Sequence, residues 1–395
     1  MEIKNLRKVA SRIFEAVKNQ EKIIIYGDTD LDGIASVIVL KETLEFLGYN
    51  KSIIYFPNRE KEGYGINRKA LLYLKKFAKE GKTNRTLFIA VDCGIGNFEE
   101  VKEAERLGFE VIIIDHHEVL KKLPKASIIV DPKQKSDRHP FKELATVGII
   151  FKLAEILLGD KLNSRFRKNL IEITALATIA DMMPVINDNK ELIEEGLRSI
   201  DNSERPGLKV FFKMDLSRSA EERKNQNNLQ NRISKINSLL NVRDVKKGIP
   251  ASFRLLTNPS EAASRKIVKQ LLRKNLKRKQ KISAIIKVVE KRILKQKKLF
   301  FVFEGEKKWD LVSLSPVASI ICQKYKKPSF IFKKGREETQ GTIRMPSGIN
   351  SIKALMRCSK LLKTYGGHPA AAGFRLKNKN LKKFKNCLKS YFEKK

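Results

Sequence analysis

The sequence predicts an α/β protein: a parallel-sheet domain joined by a long basic helical connector to a smaller α/β domain. Three observations carry this. Between residues 20 and 135, short runs rich in isoleucine and valine alternate with stretches of helical spacing, the pattern of a parallel sheet covered on both faces. A lysine-rich stretch from residue 258 keeps helical periodicity for some forty positions. From residue 299 strand-like runs resume.

The elements follow in order. "MEIKNLRKVASRIFEAVKNQ" is an amphipathic helix and lacks the long apolar core of a signal peptide. "KIIIYG", "SIIYF", "TLFIAVD", "VIIID" and "SIIVD" are buried strands. The intervening "IASVIVLKETLEFLG", "NRKALLYLKKFAKEG" and "FEEVKEAERLG" are helices that close at glycine. Three strands end in acids, Asp28, Asp92 and Asp115, and ligands of open parallel sheets bind beyond the carboxyl ends of strands. A helical stretch from "KELATVGIIFKLAEILLG" through "NLIEITALATIADMMPV" delivers Asp181 at a helix end, before Pro184. Residues 200–258 are polar, basic and weakly periodic, and read as a connector. The long helix then opens with Asn258 as N-cap, Pro259 at the first helical position and Glu261 closing a capping box. Ile267, Leu271, Ile282, Ile285, Val289 and Ile293 keep its apolar spacing, with one break at most. "LFFVFEG", "WDLVSL" and "PSFIFKK" are strands, followed by the glycine-rich loop "YGGHPAAAGF". The expected domains are 1–200, 201–298 and 299–395.

Lys and Arg number 82 against 44 Asp and Glu, a formal charge of +38, while 42% of residues are hydrophobic, so the charge decorates a folded body. The excess suits a polyanionic partner, nucleic acid first and an anionic membrane surface second; a lysine-biased proteome is the lesser alternative. Cys93, Cys322, Cys358 and Cys387 form no CxxC pair, which argues against a disulfide framework and a thiolate zinc site and for a reducing, cytoplasmic compartment. No apolar run approaches the ~20 residues of a membrane span.

"GDTDLDG" crowds Asp28, Asp30 and Asp32 together, and a cation must offset their repulsion. An EF-hand loop would need Glu at its twelfth position, where Val39 stands, so calcium of that type is excluded. A haloacid-dehalogenase phosphatase and a metal-free acidic turn both fit this segment alone. "FIAVDCGIG" adds Asp92, "VIIIDHHEV" adds Asp115, His116 and His117, and "ATIADMMPV" adds Asp181. Carboxylates with imidazole and no thiolate suit Mn²⁺ or Mg²⁺, the imidazole favouring Mn²⁺.

"GDTDLDG", "VDCG", "DHH" and "ADMMP", in this order, resemble the four motifs of the DHH phosphoesterase superfamily, nearest to its RecJ-like exonucleases. "EGYGIN", "HPFKELATVGIIFKL" and "TYGGHPAAAGF" also resemble RecJ segments, the last being like the signature of the DHH-associated C-terminal domain. The resemblance implies a two-metal site between two domains, holding two Mn²⁺ (or Mg²⁺). Asp28 and Asp30 would serve one metal, Asp32, His116 and Asp181 the other, and Asp92 would bridge them. Asp115 and His117 would orient ligands or contact the scissile phosphate. Arg344, Gly366, Gly367 and His368 would hold substrate phosphate. The dehalogenase reading is set aside, having no use for "DHH".

The chain departs from bacterial RecJ at "LVSLSPVASIICQKY" and "NSLLNVRD", and leaves no room after Lys395 for a further domain. That brevity is similar to the archaeal RecJ-like nucleases. It implies 3′-to-5′ exonucleolytic hydrolysis of single-stranded DNA, with RNA as a further substrate, in repair or replication. Other readings are a 5′-to-3′ RecJ-type enzyme, a phosphodiesterase of oligonucleotides or cyclic dinucleotides, and a non-catalytic scaffold. The implied partners are single-stranded nucleic acid and a replication or repair protein such as a helicase or replisome component. A homo-oligomer is compatible with this reading, and no membrane is implied.

Overall fold

Strands β1 (Lys22–Gly27), β2 (Ile53–Tyr55), β3 (Thr86–Val91), β4 (Phe109–Ile114) and β5 (Ile128–Val130) form one parallel sheet in the order β2-β1-β3-β4-β5. The structure, a computed structural model, describes residues 2–59, 62–78, 85–119, 122–214, 228–296 and 300–393. Both faces of this sheet are covered, which is why its strands read as continuous apolar runs. Ile23, Ile25, Leu87, Ile89, Ile112 and Ile114 face helices α1 (Leu6–Lys18), α2 (Leu31–Phe46), α5 (Thr146–Leu158) and α6 (Ser164–Ala180). Their neighbours Ile24, Tyr26, Phe88, Ala90, Val111 and Ile113 face α3 (Arg68–Ala78) and α4 (Phe98–Arg106).

The strand register positions the acids. Gly27 pairs with Val91, Val91 with Ile114, and Ile114 with Val130, so the four strands end level with one another. The next residue on each is aspartate: Asp28, Asp92, Asp115 and Asp131. The backbone N–H groups of the first three still donate to Val91, Ile114 and Val130, extending the ladder by one step. Strand order reverses between β1 and β3, and ligands of open parallel sheets collect at such a switch point.

The chain divides into two compact units, the first ending at Arg273 and the second beginning at Lys274. The stretch expected as a connector is largely built into the first unit. Helices α7 (Asn187–Leu197), α8 (Pro206–Lys213), α9 (Leu229–Leu240) and α10 (Ala251–Leu256) follow α6, with a short hairpin of β6 (Val245–Lys246) and β7 (Ile249–Pro250) between the last two. Leu208, Phe211, Ile233, Ile236, Leu240 and Leu255 are buried in its core. Residues 215–227 of that stretch, and 297–299 at the head of the second strand set, lie outside the described residues. Helix α11 (Glu261–Ile293) is unbroken. Its cap is Ser260, whose hydroxyl accepts from Ala263 N–H at 3.3 Å, while Asn258 folds into a turn by accepting from Ser260 N–H. The N-cap therefore lies two residues beyond the one expected.

The second unit carries a mixed sheet, order β11-β12-β10-β9-β8, from β8 (Val302–Glu306), β9 (Ser329–Lys334), β10 (Glu338–Arg344), β11 (Thr364–His368) and β12 (Ala371–Lys377). Phe303, Phe330, Phe332 and Phe374 cover one face with α13 (Ser351–Arg357) and α14 (Leu381–Phe392). Val302 and Ile331 face Ile285 and Val289 of α11 and the helix α12 (Leu311–Tyr325). "WDLVSL" is thus no strand: Asp310 accepts from Ser313 N–H at 2.9 Å and caps α12, where Leu314, Val317 and Ile321 recur at helical spacing. "YGGHPAAAGF" is a β11–β12 hairpin rather than a loop. Cys358 and Cys387, expected to be unpaired, form a disulfide with Cα atoms 6.1 Å apart. Their separation of 29 residues in sequence concealed a proximity that packing of α13 and α14 creates. Among the described residues no helix is long and apolar enough to cross a membrane.

Candidate metal centre

The acid cluster begins with the turn from β1 into α2. Asp30 caps α2 by accepting from Gly33 N–H at 3.1 Å. Gly33 is required there, because a Cβ on it would lie 2.6 Å from the Asp28 carbonyl oxygen. With the helix start pressed against the strand end, Asp28, Asp30 and Asp32 all remain beside the ends of β1 and β3. Asp92 reaches them from β3 through a left-handed backbone (φ 59°), which aspartate tolerates better than most residues.

Three groups of ligand atoms in the first unit result, each within 4.8 Å: Asp28, Asp30 and Asp92; Asp32, His116 and Asp181; and Asp92, Asp115 and His117, where Asp115 and His117 are hydrogen-bonded to each other. His116 Nδ1 lies 3.1 Å from the Leu144 carbonyl, an acceptor that fixes the proton on Nδ1 and turns Nε2 towards the acids. His116 Nε2 is 3.4 Å from Asp92 Oδ1, 3.5 Å from Asp181 Oδ2 and 3.7 Å from Asp32 Oδ2. Asp92 therefore adjoins both of the first two groups. Asp32 accepts from Thr146 and Val147 N–H, each at 2.9 Å, at the start of α5, and the Thr146 hydroxyl donates to Asp92 Oδ1 at 3.1 Å. Asp181 stands at the end of α6, its buried Oδ2 without a hydrogen-bond partner.

Asp115 is differently engaged. Its Oδ1 accepts from His116 and His117 N–H and from His117 Nδ1 at 2.7 Å, and its Oδ2 accepts from Ile95 N–H. It stands behind His117 as an orienting group.

The electrostatics favour a cation, since without one the buried acids hold protons. Burial and the charge of Asp30 push the Asp32 carboxyl up to about 7. Burial, then Asp30 and Asp32, hold the Asp92 carboxyl well above the usual range, and burial with Asp32 and Asp30 does the same at Asp181. Asp115 moves the other way: burial would raise it, but the charge and hydrogen bond of His117 hold it low. Burial alone would lower His117, and Asp115 outweighs it and raises it. A carboxylate–imidazole donor set with an unpartnered buried oxygen fits divalent metal ions.

Several residues at the cluster were not singled out from the sequence. Arg59 Nε donates to Asp28 Oδ1 at 2.6 Å and its Nη2 to Asp30 Oδ2 at 3.0 Å. Burial and nearby Arg243 pull that guanidinium down to about 10. Tyr64, in "EGYGIN", donates its hydroxyl to the Asp92 carbonyl at 3.1 Å and lies 3.2 Å from His117 Nδ1. Asp131 completes the acid row, fully buried and pushed up to about 8 by burial and by Asp115. Strand register would have pointed to Asp131; nothing in the sequence distinguishes Arg59 among 82 basic residues.

In the second unit, Ala371 pairs with Arg344 on one side and His368 on the other, so both flank one row of the sheet. Gly367 takes φ 136°, and a Cβ there would lie 2.4 Å from the Ala371 carbonyl oxygen. At Gly366 a Cβ would meet nothing within 4 Å. The Arg344 guanidinium is engaged by Ser319 Oγ at 3.0 Å, Ser315 Oγ at 2.6 Å and the Ile343 carbonyl at 2.8 Å.

Both sheet-bearing regions of the chain have relatives among known proteins. Residues 22–178 match the DHH family, N-terminal domain, and residues 287–394 match the DHHA1 domain. The single-stranded-DNA-specific exonuclease RecJ of Bacillus subtilis is 34% identical over 385 residues, covering 95% of this chain and 46% of that protein. A crystal structure of exonuclease RecJ bound to manganese superposes with a TM-score of 0.76 at 27% identity, covering 100% of this chain and 95% of that one. RecJ from Thermus thermophilus in complex with Mn²⁺ gives 0.80 at 25% identity, covering 100% and 55%. The chain spans about half the length of these curated relatives, 46% of the Bacillus subtilis protein and 54% of the Thermus thermophilus one.

Proposed function

The chain belongs to the DHH family, as one of its RecJ-like members, and on that premise we propose that it is a divalent-metal-dependent exonuclease of single-stranded DNA. The observation that carries the reading is the pair of acid groups meeting at Asp92. Asp28, Asp30 and Asp92 would hold one Mn²⁺ or Mg²⁺, and Asp32, His116 and Asp181 the other, with Asp92 shared. Such a pair supplies a nucleophilic water at neutral pH and neutralises charge that develops on a phosphodiester.

The remaining residues position and protonate. His117, held by Asp115, keeps a proton to direct at a phosphoryl oxygen. Arg59, with Arg243 near it, would offer a guanidinium to substrate phosphate when Asp28 and Asp30 serve as metal ligands. His368 with Gly366 and Gly367 is the proposed phosphate contact of the second unit, whereas the Arg344 guanidinium serves there to brace α12 on β10.

The match to RecJ proteins favours 5′-to-3′ digestion of the RecJ type over the 3′-to-5′ direction implied by chain length. A repair or replication role, with a helicase or replisome component as partner, in the cytoplasm, accompanies this reading. Digestion of 5′- and 3′-labelled single strands, DNA and RNA, with Mn²⁺ tests it. Mononucleotides released first from the 5′ end of DNA are expected; binding without hydrolysis would return the chain to a scaffold.

A further inference from the structure

Directly after Asp181 the chain displays apolar side chains to solvent: Met182 is 76% exposed, Val185 57% and Ile186 53%, with Pro184 exposed between them. Elsewhere among the described residues exposed apolar side chains are scattered singly or in pairs; here they are consecutive but for Met183, which is buried. The display is held in place. Met183 anchors in the core, and fully buried Asn189 donates from Nδ2 to the Pro184 carbonyl at 3.1 Å and to the Glu143 carbonyl at 2.7 Å. Met182 and Asn187 bracket the segment with left-handed backbones (φ 60° and 47°), a cost that persists only where surrounding contacts impose it. A braced apolar lip in water marks a binding surface.

We propose that this lip receives the nucleobases flanking the phosphodiester at the acid cluster, and so sets affinity for base-bearing strands. The inference rests on the exonuclease reading and adds a base contact to it. The lip starts one residue from Asp181, about 3.8 Å along the chain, and Asp181 Oδ2 lies 3.5 Å from His116 Nε2. A strand whose phosphate sits at that cluster brings its neighbouring bases to the lip. Aliphatic and thioether groups pack on base faces without reading hydrogen-bonding edges, so the contact tolerates any sequence.

The test compares the intact protein with a triple variant, Met182→Ser, Val185→Ser and Ile186→Ser. Substrates are oligothymidylate and the same strand made abasic at the two nucleotides of the digested end. A parallel measurement follows 2-aminopurine fluorescence at that end, with Ca²⁺ in place of Mn²⁺. On oligothymidylate the variant should raise KM about tenfold with kcat changed less than about twofold, the scale of losing one buried apolar contact. On the abasic strand KM should be unchanged, and the change in 2-aminopurine fluorescence expected on binding to the parent protein, as the end base leaves its stacked neighbour for the lip, should be lost. Equal KM changes on the two strands, or an unaltered KM and fluorescence change, overturn the proposal and leave the lip to a protein partner. Should the parent protein hydrolyse neither strand, the exonuclease reading fails, and the fluorescence decides the lip by itself.

Discussion

Asp92 is where the two acid groups meet, and its environment explains why no other side chain serves. Its backbone is left-handed, its Oδ1 takes the Thr146 hydroxyl, and His116 Nε2 stands 3.4 Å away. Replacing it with alanine removes the shared carboxylate while leaving the basic surface intact. Asp92→Ala should abolish hydrolysis and the heat of Mn²⁺ binding in calorimetry, while single strands still bind; normal turnover would remove Asp92 from the centre. Arg59 is the complementary case, a cation among acids. Arg59→Ala should raise KM for single strands by at least about tenfold, since a hydrogen bond to a charged group is worth roughly 1.5–3 kcal/mol. An unchanged KM would leave Arg59 as a counter-ion of the metal-free centre alone.

Among the elements, the helices after α6 are tied down by one buried cluster. Arg205, just before α8, pairs with both carboxylate oxygens of Glu42 on α2 at 2.7 Å and donates to the Leu256 carbonyl on α10 at 2.7 Å. Arg205→Ala strands Glu42 and should cost about 3–5 kcal/mol, the scale of breaking a buried pair, read by urea denaturation. Glu172 of α6 adjoins the same cluster, fully buried and accepting from Ser203, and burial pushes its carboxyl up to about 7. A folded-state value above the unfolded one stabilises below the unfolded value and is lost as pH rises through 7. Glu172→Gln should therefore flatten the stability profile between about pH 5 and 8 and gain relative to the parent at the alkaline end, as thermal melts across that range would record. A parent-like slope in the variant would assign the pH dependence to other groups.

At the scale of the molecule, the charge of +38 favours association with polyanions. Helix α11 carries lysine and arginine from Arg265 to Arg292 along its length. If that surface neutralises phosphates, the logarithm of affinity for a single strand falls with log salt at a slope of about −0.7 per phosphate. Replacing Lys266, Lys269 and Lys277 by Gln should flatten that slope, measured by fluorescence anisotropy from low to moderate salt; an unchanged slope would make the helix a solvated face.

The first sheet, its five strands, the helices between them and eight candidate acids and histidines were legible in the sequence, because those features are local. Apolar runs and helical spacing report burial, and an aspartate at a strand end is visible wherever the strand is. The two metal groups were separable only through the resemblance to a family, whose motif order stood in for distances. The other features depend on partners far apart in sequence. Register brought Asp131 level with Asp115, since only the pairing of Ile114 with Val130 shows that the two strands end together. Arg59 meets Asp28 across 31 residues, and Cys358 meets Cys387 across 29. "WDLVSL" became a helix because an aspartate cap and a buried stripe outweighed the β-propensity of six residues. Short apolar runs fit either state, and only the surface they pack against selects one.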